Sequence, residues 1–140
     1  MGESVRVMIS ETEVTKRIEE MGRQISEDYA GKQIHLICIL KGGVFFMCEL
    51  AKRISVPVSM DFMSVGSYGD GTASSGVVRL VKDLDESLEG KDVLVVEDII
   101  DSGRTLYYLL DVLKKRRPSS MKLCTLLDKP DRRVRDVKVD

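Results

Sequence analysis

Residues 93–105 read VLVVEDIIDSGRT, an apolar run of strand length that gives way to small and hydroxyl residues around Gly103 and then to a helical pattern. An apolar run this continuous belongs to a strand covered on both faces, the habit of a parallel sheet held between layers of helices. Its right half has the makings of a phosphate cradle. Backbone N–H groups at a helix start, with the helix dipole behind them, hold a phosphate without any cation, and Ser102, Gly103, Arg104 and Thr105 stand where such a helix begins. The left half opposes that reading, because Glu97, Asp98 and Asp101 place three carboxylates beside the same spot. A helix cap accounts for one acid but not for three. The acids must therefore serve another part of the ligand. Carboxylates suit sugar hydroxyls and Mg²⁺, so a phosphorylated sugar such as a ribose 5-phosphate satisfies both halves. The patterns GxxxxGK[ST] and GxGxxG are absent, which removes support for the usual nucleoside triphosphate and dinucleotide sites.

Outward from this stretch, strands and helices alternate. Upstream, QIHLICIL (33–40) is a second continuous apolar run, followed by KGG (41–43) and by VFFMCELAKRI (44–54) in a helical pattern. Before it, SETEVTKRIEEMGRQISEDYAG (10–31) opens on a hydroxyl residue with Glu13 three positions later. It spaces Val14, Ile18, Met21 and Ile25 at helical intervals and closes at Gly31. VPVSMDFMSV (56–65), VVRLVKDL (77–84) and SSMKLCTLLDKP (119–130) read as further strands, and a helix is predicted from about Gly103 to Lys115. Residues 66–76, GSYGDGTASSG, form a Gly- and Ser-rich loop long enough to act as a lid. The fold class expected is α/β, a mostly parallel twisted sheet flanked by helices. In such sheets ligands bind beyond the carboxyl ends of the strands. Lys41, the 97–105 stretch, Asp128 and Lys129 all follow predicted strands.

These residues carry a family resemblance. VLVVEDIIDSGRT resembles the diphosphate-sugar signature of the type I phosphoribosyltransferases, within them the hypoxanthine or hypoxanthine-guanine branch. LKGG (40–43), SVGSYG (64–69) and LLDKPDRR (126–133) match that branch in the same order. The resemblance implies the type I phosphoribosyltransferase fold. It further implies that the 101–105 loop holds the 5-phosphate, while Glu97 and Asp98 contact the ribose hydroxyls and Mg²⁺. Lys41 and Gly42 would form the diphosphate loop, with an unusual cis peptide, and Ser67 and Tyr68 would lie on the lid. Asp101 would face N7 of the purine as acid or base, and Lys129 would donate to the 6-oxo group. The implied reaction is Mg²⁺-dependent transfer of the 5-phosphoribosyl group from phosphoribosyl diphosphate to hypoxanthine, or to guanine. The final RVRDVKVD begins an alternating strand pattern and stops. Residues 1–140 are therefore read as a single domain whose C-terminal segment, and with it part of the hood over the site, is missing.

The bulk properties fit. A chain of 140 residues suits one domain with a real core, and 22 basic against 23 acidic residues leave a net charge of -1. No basic field points to nucleic acid, and the KKRRP run (114–118) reads as a solvated helix end. Cys38, Cys48 and Cys124, set in apolar stretches, read as buried free thiols of a reducing compartment. His35, the lone histidine, reads as structural, since a zinc site or His-based triad has little else to be built from. The N-terminus lacks a signal-peptide pattern and no membrane span is expected, so the placement expected is cytoplasmic. The resemblance implies a homo-oligomer, dimer or tetramer. Two alternatives remain open at this level: a regulator of the same fold, and a truncated module that holds phosphoribosyl diphosphate or nucleotide without turnover.

Overall fold

The computed structural model describes residues 11–67, 78–100 and 104–128. Helix α1 (Glu11–Asp28) turns Ile18, Met21 and Ile25 inward, with Tyr29 buried just beyond its end. The chain then leaves through Gly31 at φ 80°, a left-handed conformation that glycine adopts without a Cβ clash. Strand β1 (Ile34–Ile39) is followed by helix α2 (Val44–Ala51), strands β2 (Val58–Ser67), β3 (Val78–Lys82) and β4 (Asp92–Ile100), helix α3 (Arg104–Lys114) and strand β5 (Ser120–Asp128). Strand β2 runs further than its sequence suggests, so Gly66 and Ser67 belong to the strand and not to the loop.

Among the described residues the five strands form one sheet in the order β3-β2-β1-β4-β5. Strand β1 pairs parallel with β2 and with β4, and β4 pairs parallel with β5. Only the β2–β3 pairing is antiparallel, with an irregular register between Ser64 and Val65. The mostly parallel sheet expected from the apolar runs is the sheet observed.

Alternation along the central strands explains why those runs are unbroken. Successive side chains of a strand point to opposite faces. Leu36, Cys38, Leu94 and Val96 join the core under α1 and α2, with Ile18, Ile25, Phe46, Met47 and Leu50. Ile37, Ile39, Val93 and Val95 join the opposite core, with Leu106, Leu109 and Leu113 of α3 and with Leu88. Each such side chain contributes roughly 1.5–3 kcal/mol by leaving water, so a polar residue on either face of β1 or β4 is costly. The expectation of three buried thiols needs one correction: Cys38 and Cys124 are buried, but Cys48 is exposed. It lies on the outward face of α2 beside Phe45, which is itself 85% exposed, opposite the buried Phe46, Met47 and Leu50.

Among the described residues the buried polar ones are His35 and Asp61. Asp61 accepts backbone N–H bonds from Phe62 (2.9 Å), Asp85 (2.9 Å to Oδ2) and Glu86 (3.0 Å), and so fastens the β3–β4 connection to β2. Burial alone pushes its carboxyl up, but these N–H groups and His35 outweigh burial and hold it below the ordinary value.

Candidate functional site

At the carboxyl end of β1 the pairing continues one residue further, where the Leu40 N–H donates to the Met63 carbonyl at 2.8 Å. The chain then turns sharply. The Leu40–Lys41 peptide is cis, at the loop for which the family resemblance implied such a bond. The Val44 N–H donates to the Lys41 carbonyl at 3.3 Å, and the Met47 N–H donates to the Gly43 carbonyl at 2.9 Å, which opens α2. Lys41 and Gly42 are exposed at the tip of the turn, whereas Gly43 is buried at its base.

Gly43 is the site residue that sequence reasoning passed over. A Cβ at this position would lie 3.3 Å from the Val96 carbonyl oxygen, 3.5 Å from Cys38 Sγ and 3.6 Å from Glu97 Oε1. The turn lies close against the end of β4, tight enough that a Cβ would need the Val96 carbonyl to give by a few tenths of an ångström, and the half-buried Glu97 carboxylate lies beside it. The second Gly of the KGG triplet was the available signal. A Gly pair after a buried strand marks close approach of two backbones as readily as it marks a plain turn.

Because β1, β2, β4 and β5 are mutually parallel, their carboxyl ends share one end of the sheet, as expected from their sequences. That end collects Lys41 and Gly42 after β1, Ser67 as the last residue of β2, Glu97 and Asp98 in β4, and Arg104 and Thr105 at the start of α3. Strand β5 stays in register with β4 to the Ile100–Asp128 pair, so the chain enters the DKP segment at the same end. Tyr68, Asp101, Ser102, Gly103 and Lys129, all singled out in the sequence, lie outside the described residues.

Among the described residues no group of three His, Cys, Asp or Glu side chains is placed to hold a metal by itself. The donor chemistry nonetheless fits Mg²⁺, which takes one or two protein carboxylates and completes its shell with substrate oxygens and water. Glu97 offers a carboxylate of this kind beside the Lys41–Gly43 turn. Cys124, paired in register with Val96, takes no part: burial pushes its thiol up to about 12, so it remains a neutral packing group.

A turn and a carboxylate meet at the carboxyl end of a parallel sheet, just ahead of a helix start, which is where sheets of this kind bind their ligands. The family model described as the phosphoribosyl transferase domain matches residues 9–140, and the chain belongs to that family. Its relatives narrow the class. The hypoxanthine-guanine phosphoribosyltransferase of Streptococcus thermophilus (strain CNRZ 1066) is 50% identical over 135 residues, covering 96% of this chain and 75% of the relative. The hypoxanthine phosphoribosyltransferase of Salmonella typhimurium is 49% identical over 142 residues, covering 100% of this chain and 80% of the relative. The crystal structure of a hypoxanthine-guanine phosphoribosyltransferase from Bacillus anthracis superposes with a TM-score of 0.91 at 43% identity, covering 99% of this chain and 82% of that one.

Proposed function

We propose that this protein is a purine-salvage phosphoribosyltransferase that transfers the 5-phosphoribosyl group of phosphoribosyl diphosphate to hypoxanthine, with guanine as a second acceptor. The products are IMP or GMP and diphosphate. The observation that carries this reading is the Glu97 carboxylate set against the Lys41–Gly43 turn, in a chain of this family.

Each residue's role follows from where charge develops. As diphosphate leaves C1, the ribosyl ring becomes cationic and the leaving group gathers negative charge. Glu97 and Asp98 hold the ribose hydroxyls and place negative charge under the ring, while Lys41 and the Gly42 backbone meet the diphosphate. Residues 101–105 hold the 5-phosphate at the helix start. Asp101 exchanges the proton at N7 of the purine, and Lys129 donates to its 6-oxo group, which a 6-amino base lacks. Mg²⁺, held through Glu97 and Asp98, supplies charge neutralisation to the diphosphate when bound. The loop that leaves β2 after Ser67, beginning with Tyr68, is the lid that excludes water from the site. We read residues 1–140 as a single domain of a cytoplasmic homo-oligomer. No described helix is long and apolar enough to cross a membrane.

Two substitutions test the roles. Asp101→Asn is expected to lower turnover by about 10²–10⁴-fold, while calorimetry still records binding of phosphoribosyl diphosphate. Unchanged turnover would remove Asp101 from the proton transfer. Lys129→Gln is expected to lower kcat/KM for hypoxanthine; equal efficiency would show that another group reads the 6-oxo oxygen.

A further inference from the structure

At the opposite end of the sheet, where the parallel strands begin, a cleft of about 270 Å³ is lined by Lys32, Gln33, His35, Ser59, Lys91 and Asp92, with Gly90 at its rim. Two of these residues are neighbours across the β1–β2 ladder, where His35 pairs in register with Ser59. The imidazole is 2% exposed, and its Nδ1 lies 2.7 Å from Ser59 Oγ. Its Nε2 has no hydrogen-bond partner and stands 3.9 Å from Asp61 Oδ2. The other charged groups acting on the ring are Glu86 and Lys91, both from the β3–β4 connection.

Electrostatics select the tautomer. A neutral imidazole carries one N–H and one lone pair, and the Asp61 carboxylate, held ionised by three backbone N–H groups, favours the N–H on the side that faces it. Nε2 then carries the proton, Nδ1 is the acceptor, and the Ser59 hydroxyl donates to it. Burial lowers the pKa of His35, so the acceptor form is the one present at neutral pH. A hydroxyl on a neutral imidazole is the pair that turns a serine into a nucleophile, and the Asp61 carboxylate, 3.9 Å from Nε2 and bonded to backbone N–H groups, acts on the ring through its charge alone.

We propose that Ser59, with His35 as its base, is a second reactive centre that cleaves small carboxylic esters entering this cleft. Ser59 Oγ bonds to the ester carbonyl carbon while its proton passes to His35 Nδ1. The C–O bond to the alcohol breaks, and the alcohol departs with that proton. Water then attacks the acyl-serine, giving one proton to Nδ1 and returning it to Ser59 Oγ as the acid leaves. Lys32 and Lys91 line the cleft, Lys91 with its ammonium 3.8 Å from Glu86 Oε1, and their positive charge favours the transient oxyanion. The centre lies at the end of the sheet away from the phosphoribosyl site and uses none of its residues.

The test uses the full-length protein with diisopropyl fluorophosphate, followed by intact mass and peptide mapping, and separately with 4-nitrophenyl acetate. One adduct per chain is expected, on Ser59, and none in Ser59→Ala. Labelling should slow by about 10²-fold or more in His35→Gln. Its rate should climb with pH to a plateau with a midpoint below the ordinary imidazole pKa. Phosphoribosyl transfer by both variants should be unchanged, which reports that each is folded. An adduct on another residue, no adduct, or labelling and 4-nitrophenol release that survive in Ser59→Ala or His35→Gln would overturn the proposal. Should His35→Gln fail to fold, Ser59→Ala and the pH profile of the wild-type rate decide it alone.

Discussion

At Gly43 a hydrogen stands where any other residue would press a carbon against the Val96 carbonyl and the Glu97 carboxylate. Alanine asks its neighbours for a few tenths of an ångström. A β-branched residue adds two methyl groups to contacts that are already at 3.3–3.6 Å. Gly43→Val is therefore expected to displace Glu97 or the turn and to weaken binding of phosphoribosyl diphosphate by about tenfold or more, with an overpacking cost of about 1–3 kcal/mol in stability. Gly43→Ala should stay near wild type. Calorimetric titration of both variants checks this, and equal binding by Val and wild type would show that the turn does not position Glu97. At this scale the sequence was partly legible. Carboxylates beside a helix start announce their chemistry through composition alone, whereas Gly43 acts through what it lacks, and Asp61 through backbone partners 24 and 25 residues away.

The elements were the most legible level, for a physical reason. Strands β1 and β4 are buried on both faces, and their alternation with amphipathic helices in the sequence points to a sheet between helices. The direction of β3 was less accessible, because a five-residue edge strand with Leu80 and Val81 exposed carries the same pattern in either orientation. Contacts between elements were equally hidden. Gly22 in α1 sits so close to the turn after α2 that a Cβ would lie 2.7 Å from Arg53 Cβ and 2.8 Å from its carbonyl oxygen. Nearby, Ser26 Oγ donates to the Gly22 carbonyl at 2.7 Å and accepts the Ser55 N–H at 2.9 Å, tying the helix to the chain that leads into β2. Gly22→Ala, which raises helix propensity, is nevertheless expected to destabilise the protein by about 1–3 kcal/mol, because backbone must move to admit the methyl. Urea unfolding checks the sign; a stabilised variant would mean that α1 docks more loosely than the structure shows.

Among the described residues, His35, Asp83 and Asp61 each tie stability to pH. Burial holds His35 below the ordinary imidazole value of about 6.5, so the unfolded chain takes up a proton there before the folded one does. The stability tied to His35 is complete above that value and is lost as pH falls toward the folded pKa. Asp83 is held low by Arg116, whose guanidinium makes two bonds to it at 2.8 and 2.9 Å, and Asp61 by its backbone donors. Their contributions persist above about pH 4 and vanish as pH falls through their depressed values. The Asp83–Arg116 pair is partly exposed and is worth only about 0.2–1 kcal/mol. Thermal unfolding of wild type and His35→Gln should therefore diverge in pH dependence between neutrality and the folded pKa of His35. Parallel curves would mean that the ring is solvated.

Product chromatography reads the transfer reaction itself. The full-length protein is incubated with phosphoribosyl diphosphate and Mg²⁺ and, in separate reactions, with hypoxanthine, guanine, xanthine or adenine. IMP is expected from hypoxanthine, with no AMP from adenine. AMP in place of IMP, or no nucleotide from any base while phosphoribosyl diphosphate still binds, would contradict it.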